Sequence, residues 1–96
     1  MTTYVLANIH VIDGEKMKAY SRAATPIVAR FGGHYLVRGG AFQVLEGGPT
    51  PERLVIIEFP NREAVDAWWN SPDYQLAKAM RNAAAHTDLI VIDGLV

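Results

Sequence analysis

The sequence predicts an α+β domain in which a four-stranded antiparallel sheet carries two helices on one face. Two observations lead there. Four short segments alternate their side chains as strands do, and both faces of each are suited to burial. Two longer segments repeat apolar residues every three or four positions, which supplies enough helix to cover one face of a sheet but not two. A second copy of the molecule is the expected cover for the other face.

Residues 4–12 are rich in Val, Ile and Tyr and run into Asp13-Gly14, so they read as a first strand closed by a turn. Val5, Ala7, Ile9 and Val11 make one uniformly apolar face, and Tyr4, Leu6, Asn8, His10 and Ile12 make a mixed one. From Glu15 the period changes. Met17, Tyr20, Ala24, Ile27, Val28 and Phe31 form one helical stripe, with Asp13 as its cap and Gly32-Gly33 as its end. Pro26 lies inside that stripe and has no amide hydrogen, so a kink or break is expected near Ala24 and Thr25.

Residues 34–45 read as a second strand bent at Gly39-Gly40. The turn-rich run 46–52 is too short for a crossover helix, so the second and third strands should form a hairpin. The third strand, 53–59, shows the two-faced burial most clearly: Val55, Ile57 and Phe59 point one way, Leu54 and Ile56 the other. Pro60 stops it, and Asn61 caps a helix whose stripe is Ala64, Val65 and Trp68. Ser71-Pro72-Asp73 combines a capping hydroxyl, proline at the first helical position and an acid at the positive end. A new helical segment should therefore run through Tyr74, Ala77 and Met80 to about Ala85. Residues 88–92 form the fourth strand. The order β-α-β-β-α-β is the ferredoxin-like split arrangement, and right-handed crossovers put both helices on the same side of the sheet.

Ninety-six residues, half of them apolar, make a single domain spanning 1–96. A formal charge of −1 with both signs interspersed gives no positive field for nucleic acid or an anionic membrane. The chain has no cysteine, which removes disulfides, thiolate nucleophiles and sulfur-ligated metals. No apolar run approaches the ~20 residues that span a bilayer, and the expected location is cytoplasmic. A homodimer is the expected assembly, with a small molecule as the other partner.

Four local patterns carry a family resemblance: Gly32-Gly33, Arg38-Gly39-Gly40, Glu58-Phe59-Pro60, and the tract Ala67-Trp68-Trp69-Asn70-Ser71-Pro72-Asp73-Tyr74-Gln75. Together they resemble the domain of unknown function 1330 family over nearly the whole chain. The resemblance implies a ferredoxin-like fold that pairs as a dimeric α/β barrel, and it implies no established activity. The wider superfamily includes cofactor-independent monooxygenases, haem-degrading enzymes and muconolactone isomerases. Fold analogy therefore selects no reaction, and no catalytic motif carries over.

The candidate chemistry rests on His10 and Asn8 from the first strand, Arg38 from the second and Glu58 from the third, converging in a cavity between two facing sheets. A histidine beside a carboxylate serves as general base, and an arginine holds an anionic substrate. His10, Glu58 and Arg38 are thus the candidate catalytic residues; Tyr4, Asn8, Trp69 and Tyr74 are the candidate ligand-binding ones. The plainer alternative is an Arg38–Glu58 ion pair, with Asn8 or His10 satisfying backbone groups. Of Trp68 and Trp69, one should fill the core and the other cover the break before Ser71. His34 and His86 read as exposed helix-end residues. No metal or cofactor is expected, because no helix-spaced or two-spaced histidine pair occurs. Two functions follow: a small-molecule binder with cofactor-free acid/base or oxygenase-type chemistry, or a noncatalytic dimerising module.

Overall fold

A computed structural model describes residues 1–96. The elements are β1 (Thr3–Val11), α1 (Gly14–Arg30), β2 (His34–Arg38), β3 (Leu54–Phe59), α2 (Arg62–Asn70), α3 (Pro72–Ala84) and β4 (Ala85–Asp93). The sheet is antiparallel throughout, in the order β2-β3-β1-β4. It is the ferredoxin-like α+β arrangement. The helices cover one face: Val5, Ala7 and Ile9 of β1 and Val55, Ile57 and Phe59 of β3 are buried beneath Met17, Ala24, Val28, Val65, Trp68 and Tyr74. No helix is long and apolar enough to cross a membrane.

Each predicted helix start has its cap. Asp13 accepts from the Lys16 amide at 3.1 Å, Asn61 from Ala64 at 2.8 Å, and Ser71 Oγ from Tyr74 at 3.1 Å. Ser71 divides the second helical layer into α2 and α3, as its sequence signal predicts. Gly32 ends α1 in the left-handed region, at φ 83°, where a side chain would be strained.

Three expectations are corrected. First, α1 does not break at Pro26. The preceding turn is braced instead: the Thr25 hydroxyl donates to the Ser21 carbonyl at 2.7 Å, and Arg38 donates to Thr25 Oγ1 at 2.7 Å. Second, β2 does not resume after its glycines. Gly39 adopts φ 72°, and residues 40–52 leave the sheet with Phe42, Val44 and Leu45 exposed. Third, β4 begins at Ala85, directly from α3. His86 is therefore a strand residue, not a helix-end one.

Candidate functional site

The open face of the sheet holds the first candidate cluster. His10 sits directly across from His86 in the β1–β4 register, their rings stacked with centroids 6.4 Å apart. Its Nδ1 meets the carboxylate of Glu52, and the Glu52 amide donates to Asn8 Oδ1 at 3.0 Å. Asn8 thus satisfies a backbone group, and the histidine's acidic neighbour is Glu52. Glu58 is not nearby. It faces Tyr4 in the β1–β3 register, six residues along the strand from His10, a separation of about 20 Å at ~3.4 Å per residue.

Arg38 lies on the other side of the sheet. The β2–β3 register shifts between Tyr35 and Val37, a bulge that turns Arg38 toward the helices opposite Val55. There its guanidinium sits 4.2 Å from the Tyr35 ring and bonds to Thr25. The predicted constellation therefore does not converge, and an Arg38–Glu58 ion pair does not form. Register parity explains this: one extra residue reverses the face of every side chain beyond it. No group of three His, Asp or Glu side chains comes together.

A partly open cavity lies between the helices and the sheet. Its void is about 40 Å³, room for about three waters or the head of a small ligand. The floor is apolar, with Ala7, Val55, Ile57 and Leu89, and Trp68 closes one side. Polar groups converge on it. The Tyr20 and Tyr74 hydroxyls are 2.9 Å apart, and Arg81 Nη1 donates to Tyr74 Oη at 3.1 Å. Arg81 is buried, with 5% of its surface exposed, and no carboxylate neutralises it.

Of the nine Lys and Arg residues, five line this cavity or the groove that leads into it past Met17, Ser21 and Arg53. They are the buried Arg81, the half-buried Arg53 and the exposed Arg38 on the cavity, and Lys18 and Arg22 at the groove; none of the ten acids lines either. Lys18 also pairs with Glu15 on the surface. The positive charge is thus concentrated in one cleft of a chain whose net charge is −1. Gly39 serves this arrangement, because a Cβ there would collide with the Arg53 guanidinium.

Burial raises the pKa of all three tyrosines around the cavity. Tyr20 is pushed far up, by burial first and by Tyr74 next, with Arg81 opposing. Tyr35 is raised by burial and by Tyr20 against Arg38 and Thr25. For Tyr74, burial outweighs the lowering by its Tyr20 hydrogen bond and by Arg81. At neutral pH these phenols are protonated hydrogen-bond donors.

Of the residues expected from sequence, Arg38 and Tyr74 line this cavity, while His10, Asn8, Tyr4 and Glu58 lie on the opposite face. Tyr74 is in the core, wholly buried. Trp68 fills the core, and Trp69 covers the α2–α3 break, 5.7 Å from the Tyr74 ring and beneath Lys78. Sequence reasoning missed Tyr20, Arg53 and Arg81 as site residues. A usable signal existed for one: Tyr74, Ala77, Arg81 and Ala84 form the buried stripe of α3, so a charged residue occupies a core position. The expected stripe residue Met80 is partly exposed.

Solved structures share this fold. A protein of unknown function from Rhodopseudomonas palustris aligns at TM-score 0.79 and 23% identity, covering 99% of this chain and 83% of its own. A dimeric ferredoxin-like protein of unknown function from Thermobifida fusca aligns at 0.67 and 14%, covering 98% and 92%. SnoaB, a cofactor-independent oxygenase from Streptomyces nogalater, aligns at 0.65 and 13%, covering 97% and 91%. Among proteins with curated descriptions, none matches the chain. Residues 2–95 match a family described as a domain of unknown function, DUF1330.

Proposed function

The chain belongs to the DUF1330 family, which carries no assigned activity, and we propose from its own geometry that it is a homodimeric binding protein for a small organic anion. The observation that supports this reading is the set of basic residues around the helix-side cavity, above all the buried Arg81 without a carboxylate. Burying an unpaired cation costs several kcal/mol, and a bound anion offsets that cost. Lys18 and Arg22 at the groove draw anions toward it.

The dimer rests on the open face. Leu6, Ile56, Ile90 and Ile92 share it, and Ile90 and Ile92 leave more than half their surface exposed in the single subunit. A contiguous apolar sheet face of this kind favours a second copy, and the description of the Thermobifida fusca neighbour as dimeric supports pairing, without naming the face. Oxygenase-type chemistry, named for SnoaB, would require a group that removes a substrate proton. The cavity phenols, held protonated by burial, are suited to donating hydrogen bonds.

The test is thermal unfolding with matched small molecules at constant ionic strength: acetate, butyrate and benzoate against the corresponding amides and amines. Carboxylates should raise the melting temperature in proportion to occupancy, and amines should not. Equal responses to carboxylates and amines would refute the anion reading.

A further inference from the structure

The hydrogen-bond inventory of the cavity is unbalanced, and its imbalance has a direction. A guanidinium only donates, so Tyr74 Oη accepts from Arg81. The Tyr20 and Tyr74 hydroxyls share a single hydrogen bond, which uses one of their two protons. No other acceptor in the chain bonds to either, so one phenolic proton of the pair is left over. Because Tyr74 already receives Arg81, donation from Tyr74 to Tyr20 continues the polarity of the chain and leaves the free proton on Tyr20.

Four further side-chain atoms are buried without a partner: Arg53 Nε, Arg81 Nε, Trp68 Nε1 and Thr87 Oγ1. All four residues line this one cavity. Three of the atoms are N–H groups that donate and cannot accept. Orphaned donors are costly when buried, and here they are gathered around a single void and not scattered through the core.

We infer that the cavity is an oxyanion seat for a small monocarboxylate with a short apolar body, and that Tyr20 is the residue that distinguishes a carboxylate from its neutral isostere. This rests on the anion-binding reading above and goes further, naming the ligand class and the discriminating donor. A carboxylate brings only acceptors, which suits a wall of donors. An amide brings donors that the wall cannot receive, and an amine brings nothing else. The apolar body lies against Ile57 and Leu89, the carboxylate toward Arg81, the Trp68 indole N–H and the Tyr20–Tyr74 pair.

Nitrogen-15 correlation spectra of the intact protein test this, because Arg Nε–H and indole Nε1–H protons are directly visible. Titration with acetate, butyrate and benzoate should move the Trp68 indole and Arg81 Nε resonances downfield, with the Trp69 indole moving less. Tyr20→Phe should weaken carboxylate binding about tenfold or more, the loss of one hydrogen bond to a charged group, and leave benzamide binding unchanged. If carboxylates shift Trp68 and Arg81 but bind Tyr20→Phe as tightly as the parent, the role given to Tyr20 is overturned and the anion reading stands. If carboxylates perturb only amides near Lys18 and Arg22, or if benzylamine binds better than benzoate, both are overturned.

Discussion

Removing one oxygen from the core should reveal how Arg81 is held. Tyr74→Phe deletes the hydroxyl that accepts from Arg81 Nη1 at 3.1 Å and bonds to Tyr20 at 2.9 Å. The ring stays, so the packing against Trp68 is retained and no large void forms. What is lost is the acceptor of a buried charged donor, about 1.5–3 kcal/mol, together with one neutral hydrogen bond of about 1 kcal/mol. The sum is about 2.5–4 kcal/mol. Tyr20→Phe removes only the neutral bond and leaves Arg81 on Tyr74, so it should cost about 1 kcal/mol. Urea unfolding followed by tryptophan fluorescence, at one fixed protein concentration because the proposed assembly is a dimer, compares the two. Equal costs within about 0.5 kcal/mol would refute the claim that Tyr74 carries the buried guanidinium.

Two other perturbations read different parts of the structure. Burial raises the phenols of Tyr20, Tyr35 and Tyr74 above their ordinary 10.0, so the unfolded chain releases these protons first on the way to alkaline pH. Stability is fully present below about pH 10 and falls above it. Tyr20→Phe should flatten that decline in urea midpoints, and identical slopes would contradict it. Ile56→Asp places a charge on the open face opposite Leu6. If the proposed dimer pairs through this face, sedimentation equilibrium should report a dimer for the parent and a monomer for the variant, and an unchanged dimer mass would place the interface elsewhere.

Strand faces were legible because parity needs only local alternation: Val5, Ala7 and Ile9 fall inward and Leu6 and Asn8 outward with no knowledge of partners. Helix starts were legible because Asp13, Asn61 and Ser71 act within three residues of themselves. The candidate site was far less so. A bulge between Tyr35 and Val37 leaves no local mark, yet it moves Arg38 from the face of His10 to the face of Tyr74. Which carboxylate reaches His10 depends on the course of residues 40–52, and that segment brings in Glu52 while Glu58 stays at the far end of the sheet. His86 was misplaced because α3 passes into β4 with no intervening turn residue to mark the boundary. Arg81 was hidden by composition: arginine is a common surface residue, and only its register with Tyr74, Ala77 and Ala84 places it inside.

A crystal structure grown with saturating acetate bears most directly on the cavity as an anion seat. The carboxylate should lie between the helices and the sheet, its oxygens within hydrogen-bonding distance of Tyr20 Oη and Arg81 Nε. Acetate confined to the outer groove at Lys18 and Arg22, with the inner void unchanged, would contradict it.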